Sequence, residues 1–182
     1  MNKYWVWLSC LYKIGTKSQN ELLKKYKTPE AVWNLSREEL KQNTFLEQNQ
    51  IENILNELYR KKLDEYIEYM KKNQISMITI NDENYPSKLR EIYDPPVTLF
   101  VKGNKKLLEQ KSIAVIGSRN CSEYGKLVAE NFAYKLAQNN IIVISGLARG
   151  IDSYAHLGAL KDTNSTIAVT RMWIRPSLPK RK

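Results

Sequence analysis

Two arginines stand inside glycine-bracketed segments, each placed directly after a run of β-branched residues. Gly117-Ser118-Arg119-Asn120-Cys121-Ser122 follows Ser112-Ile113-Ala114-Val115-Ile116, and Ser145-Gly146-Leu147-Ala148-Arg149-Gly150-Ile151-Asp152 follows Ile141-Ile142-Val143-Ile144. A guanidinium offers planar, paired N–H donors to a phosphate, and glycine lets backbone come close to a ligand. Gly117, Ser118, Arg119, Ser145, Gly146, Arg149 and Gly150 are therefore the candidate phosphate-binding residues. Ser122 is placed to cap a following helix, whose first N–H groups would favour an anion at the same spot. Neither segment matches the dinucleotide pattern G-x-G-x-x-G or a P-loop ending in Gly-Lys-Ser/Thr, so redox chemistry with a nucleotide cofactor and NTP hydrolysis both lack their usual residues.

The remaining reactive side chains do not assemble into a catalytic set. His156, the single histidine, follows Asp152 by four residues, which puts both on one helix face and reads as a hydrogen-bonded structural pair. Ser145 or Ser153 could be paired with His156 in a hydrolase, but no nucleophile-elbow pattern surrounds either serine. Cys10 and Cys121 are far apart and lack metal-ligand spacing, so neither zinc nor a disulfide scaffold is expected, and a reducing, cytosolic setting fits. Cys121 reads as a small loop residue, and Tyr85, Tyr93 and Phe100 as core aromatics because of their apolar neighbours. No catalytic residue, metal or cofactor is expected.

The elements that must position the two arginine loops follow from periodicity. Ser112 to Gly117 and Ile141 to Ser145 read as buried strands, Ser122 to Gln138 and Asp152 to Leu160 as helices, and Ile167-Ala168-Val169 as the start of a third strand. Such alternation indicates right-handed βαβ units in a parallel, Rossmann-like sheet, where working loops lie beyond the carboxyl ends of the strands. Upstream, Tyr4 to Tyr12, then Leu22, Leu23 and Tyr26, then Ala31 to Leu35 recur at helical spacing, and Ser36-Arg37-Glu38-Glu39 resembles a capping box. Ile51, Ile54, Leu55, Leu58 and Leu63 mark a longer helix reaching about Lys72, and Gly15 is read as the residue that permits the first turn between helices. Met77 to Ile80 and Val97 to Val101 read as strands flanking Tyr85-Pro86 and a short helix from Leu89 to Ile92. The expected organisation is a helical unit over 1–73 and an incomplete Rossmann-like domain over 74–169.

A 42% hydrophobic content can build a core and excludes wholesale disorder, and no window reaches the length of a membrane span. The 29 Lys and Arg against 19 Asp and Glu give a net charge of +10, which points to an anionic partner such as nucleic acid. Half of that charge lies after Thr170, in Arg171, Arg175, Lys180, Arg181 and Lys182.

The chain resembles the DprA/Smf family of bacterial DNA-processing proteins. The resemblance is carried by Tyr85-Pro86-x-x-Leu89 to Asp94-Pro95-Pro96, Leu99-Phe100-x-Lys102-Gly103-Asn104, and Ala114-Val115-Ile116-Gly117-Ser118-Arg119 with Ser122-x-Tyr124-Gly125. Ser145-Gly146-x-Ala148-Arg149-Gly150-Ile151-Asp152-x-x-Ala155-His156 completes it, together with a Tyr-Trp-x-Trp-Leu opening typical of the family's helical N-terminal domain. It implies a SAM or helix-hairpin-helix-like first domain and single-stranded DNA binding in the basic pocket of the Rossmann domain. It also implies protection of incoming DNA during natural transformation and aid in loading the recombinase RecA, with a homodimer in the full-length family. Arg119 is the first DNA-contact residue so implied and Arg149 the second. The competing reading is a Rossmann-like nucleotide-binding or nucleotide-hydrolysing enzyme, whose later Pro-Gly-Gly-x-Gly-Thr motif does not occur here.

After Val169 the pattern departs from the family's glycine-rich turn. The codons of Met172 and Trp173 are unique, and read one nucleotide on they specify a cysteine of the kind that the family turn carries between glycines. The expectation is a frameshift near Val169 or Thr170, with 170–182 an out-of-frame basic tail that leaves the sheet short and its edge unpaired.

Overall fold

The computed structural model describes residues 2–161 and 166–170. The described residues form two compact units, 2–103 and 104–170. The tail expected over 170–182 lies outside the described residues except for Thr170.

The first unit begins with seven short helices: α1 (Lys3–Cys10), α2 (Thr16–Tyr26), α3 (Pro29–Trp33), α4 (Arg37–Lys41), α5 (Gln48–Ile54), α6 (Glu57–Lys61) and α7 (Leu63–Lys72). The α4 start is the capping box expected from its sequence: Ser36 accepts from the Glu39 N–H, and the Glu39 carboxylate accepts from the Ser36 N–H. One long helix from Ile51 to Lys72 does not form. Asn56 accepts from the Leu58 N–H and starts α6, because a short polar side chain competes for the backbone donors at that point. Gly15 is not the turn-forming residue either: it is extended at φ −78°, while Lys13 takes the positive φ of 61°.

Trp5, Val6, Trp7 and Leu8 of α1, Leu22 of α2, Val32 of α3 and Met70 of α7 fill one core. Trp33 meets Trp7 edge-on at 5.0 Å between ring centroids, and the Arg60 guanidinium lies 4.3 Å above the Trp33 ring. This core continues into an antiparallel ribbon, β1 (Ile75–Thr79) paired with β2 (Thr98–Lys102), with Met77 opposite Phe100. Ile75 and Val97 are part of the same buried cluster. The boundary between units thus falls after Gly103 and not after residue 73, because the apolar face of the ribbon is buried with the helices. Between the strands lies α8 (Ser87–Arg90), and the buried Tyr85 just before it donates its hydroxyl to the Pro96 carbonyl after it at 2.7 Å. Phe100 packs against the core, whereas Tyr93 is 89% exposed, so only two of the three aromatics expected inside are there.

The second unit is the Rossmann-like part. After a 3-10 turn at Lys105–Glu109, β3 (Ser112–Ala114), α9 (Glu123–Gln138), β4 (Ile142–Ser145), α10 (Ile151–Ala159) and β5 (Thr166–Ala168) follow in order. The strands are parallel in the order β3-β4-β5, with Ile113 opposite Val143 and Ile144 opposite Ile167. α9 and α10 pack on each other and on β4 through Ala133, Ala137, Ala155, Ala159 and Val143. Small residues bring the helices together: a Cβ on Gly158 would stand 2.0 Å from the Glu130 carbonyl oxygen. Ile116 and, on α9, Tyr124, Val128 and Phe132 are exposed and line an open apolar groove of about 320 Å³. No helix among the described residues is long and apolar enough to cross a membrane.

Candidate nucleic-acid interface

Both arginine loops leave the carboxyl ends of parallel strands, as expected, and the two are stitched together by backbone. The Ile151 N–H at the start of α10 donates to the Ser118 carbonyl at 3.1 Å. Gly150 makes this approach possible: its φ is 86°, and a Cβ there would lie 2.2 Å from the Ser118 oxygen and 2.7 Å from that of Arg119. The Asp152 carboxylate, in the first turn of α10 and buried, accepts from the Gly146 N–H at 3.1 Å and from the Gly117 N–H at 3.4 Å.

That geometry reassigns several candidates. Gly117 and Gly146, expected to let backbone approach a phosphate, have their N–H groups bonded to a carboxylate of the chain itself. Asp152 therefore takes the place of an anion at the loop bases and holds the loops in register. Ser145 is 2% exposed and its hydroxyl donates to the Val115 carbonyl, one residue past β3, at 2.7 Å. It clamps β3 to β4 and is not available to a ligand. Ser118 is exposed, and its hydroxyl bonds the backbone of Asn120 two residues on, closing a local turn. Ser122 caps α9 as expected, accepting from the Gly125 N–H at 3.1 Å.

Arg119 and Arg149 remain as the cationic groups of the rim. Both are exposed, and neither has an acidic partner among the described residues. Lys126, one turn into α9, is by contrast paired with Glu123, whose hydrogen bond raises the lysine's pKa. The rim thus presents two guanidinium groups from adjacent loops, with their charge not already neutralised by the protein.

Asp152 and His156 share a helix but are not bonded to each other. His156 is buried, its Nδ1 lies 2.7 Å from the Thr166 hydroxyl oxygen, and that hydroxyl donates to the Val143 carbonyl at 2.8 Å. Since the threonine proton is committed to the carbonyl, the ring must donate through Nδ1–H, which leaves Nε2 as a buried acceptor without a partner among the described residues. Burial pushes the His156 pKa down, and Asp152 opposes it. The ring is a neutral strap between α10 and β5. Neither serine weighed as its nucleophile is bonded to it: Ser145 is on Val115, and Ser153 donates to the Ala148 carbonyl at 2.6 Å. Cys121 is half-buried in the loop before α9. Among the described residues no group of three or more His, Cys, Asp or Glu side chains gathers as a metal site would.

The sequence reading missed Asp152 as the organiser of the site. Its distance of six residues from Gly146, across the start of α10, was the available signal. It also missed Leu147, exposed at the tip of the second loop with a positive φ of 56°.

Comparison with known proteins places these loops in context. The family described as DNA recombination-mediator protein A matches residues 76–182. The DNA processing protein DprA of Streptococcus pneumoniae is 45% identical over 102 residues, covering 56% of this chain and 36% of that protein. That of Bacillus subtilis is 35% identical over 114 residues, covering 62% and 38%, and protein Smf of Escherichia coli is 34% identical over 122 residues, covering 67% and 33%. The chain therefore spans about a third of the length of these relatives. The crystal structure of DNA processing protein A from Streptococcus pneumoniae superposes with a TM-score of 0.61 at 29% identity, over 93% of this chain and 58% of that one.

Proposed function

Because the chain belongs to the DNA recombination-mediator protein A family, we propose that its second unit binds the phosphate backbone of single-stranded DNA at the rim formed by Arg119 and Arg149. One observation carries this reading: two exposed guanidinium groups, neither with an acidic partner among the described residues, project from loops that Gly150, Ile151 and Asp152 lock together. Arginine suits a phosphate because its fork of donors matches two oxygens at once. Fixed loops remove the backbone part of the ordering cost when DNA arrives, leaving the side-chain part. Gly117, Gly146 and Gly150 serve by shaping the loops, Ser118 by its exposed turn, and Ser145 by clamping the strands beneath. The chain is read as a binding protein and not as an enzyme, acting in the cytoplasm.

The resemblance extends the proposal to DNA uptake, in which the protein would shield incoming single strands and aid RecA loading. Fluorescence anisotropy with a labelled single-stranded oligonucleotide and its duplex tests the first step. Binding that favours the single strand and weakens with salt is expected, and equal or no binding contradicts the proposal. Filament assembly by purified RecA on coated single strands, with and without this chain, tests the second.

A further inference from the structure

Leu147 stands apart among the residues of positive φ. Lys27, Gln74 and Asn140 take that conformation at helix ends, and Lys13 takes it in the turn between α1 and α2. All four are polar. Leu147, at φ 56°, is apolar, follows a strand, and is 52% exposed. The left-handed conformation crowds Cβ against the next carbonyl oxygen, and asparagine or glycine tolerates it better than leucine. The loop holds it there regardless. Gly146 is tied to Asp152, the Ala148 carbonyl to the Ser153 hydroxyl at 2.6 Å, and Ile151 to Ser118. A rigid, hydrogen-bonded loop thus holds an apolar side chain out toward water two residues before Arg149. In the other arginine segment, Ile116 is 75% exposed immediately before the Gly117-Ser118-Arg119 loop.

Resting on the DNA-binding reading of the same rim, we infer that Leu147 packs against the face of an unstacked base in the strand whose phosphates Arg119 and Arg149 hold. Base faces are buried in a duplex and open to an apolar side chain only where the strand is unpaired or wedged apart. Leu147 is thus the residue that makes the rim respond to bases as well as to phosphates. It selects for single strands, while the arginines contribute attraction that any phosphate backbone would feel.

The test compares the full chain with its Leu147→Asn and Leu147→Met variants, using an oligothymidylate and an equally long strand of abasic deoxyribose phosphates. Leu147→Asn relieves the backbone strain, so its thermal midpoint is expected to equal or exceed the native one. Its affinity for oligothymidylate is expected to fall about fivefold to tenfold with no change on the abasic strand. Leu147→Met, which keeps an apolar side chain, is expected to retain the native preference for the strand with bases. Equal native affinity for the two strands, or an equal loss on both in Leu147→Asn, overturns the role of Leu147 and leaves the phosphate rim standing. Absence of native binding to either strand overturns the rim itself, and the role of Leu147 with it.

Discussion

The carboxylate of Asp152 accepts a hydrogen bond from the backbone N–H of Gly146 at 3.1 Å, with the Gly117 N–H 3.4 Å from its other oxygen. One buried side chain therefore links the bases of both arginine loops. Positions that look from the sequence like an empty anion cradle are satisfied from within. What the loops offer to a ligand is their tips.

Asp152→Ala removes the carboxylate that accepts from both N–H groups, and because Gly117 and Gly146 are exposed, water can replace it in part. Loss of these charge-assisted hydrogen bonds is expected to lower stability by about 1 kcal/mol. Urea unfolding of the two proteins measures it, and coincident midpoints would show that the loops do not depend on this carboxylate.

Gly150→Ala would put a Cβ 2.2 Å from the Ser118 carbonyl oxygen at a φ of 86°. Backbone must move to relieve the clash, so the loops separate. The expected cost is about 1 to 3 kcal/mol, with a weaker grip on single-stranded DNA even at temperatures where the variant is folded. Thermal unfolding and anisotropy on the same sample check both effects, and a variant with native stability would contradict the close approach.

His156 ties folding to pH. Its folded pKa is lowered by burial, so below the ordinary histidine value of about 6.5 the unfolded chain binds a proton that the folded chain refuses. Stability contributed by the neutral ring is full above that pH and is lost as pH falls toward the folded pKa. Carboxylates also titrate in acid, so the informative quantity is the difference between native protein and His156→Gln. Denaturation midpoints measured from pH 7.5 to pH 5 are expected to fall more steeply for the native chain. Parallel curves would contradict the assignment.

Much of this was legible in the sequence, for identifiable reasons. The run Ile141 to Ile144 announces a buried parallel strand, because a strand covered on its faces needs no polar alternation. The run Ile113 to Ile116, also expected buried, gives instead the short outer strand β3, with Ile113 41% and Ile116 75% exposed. The Ser36 and Ser122 caps are local chemistry, decided within four residues. The failures concern partners distant in sequence. Nothing in the ribbon 75–102 says which core will bury Ile75 and Val97. Tyr93 has apolar neighbours, yet the turn through Asp94 and Pro95 leaves it in solvent. Ser145 and Asp152 look like ligand groups by type, and only the register of β3 on β4 reveals that they bond the protein's own backbone. The placement of Arg119 and Arg149 in exposed loops after β3 and β4 was legible because the strand pattern fixes where those loops fall.

The most direct measurement is the salt dependence of single-stranded DNA binding by the native chain and by Arg119→Ala, Arg149→Ala and the double variant. Each arginine that neutralises a phosphate contributes about 0.7 to the slope of log affinity against log salt on a single strand. Each single variant is expected to lose about that much slope, and the double variant about twice it, with affinity falling on every sequence tested. A double variant that binds with native affinity and native slope would contradict the proposal that this rim is where DNA is held.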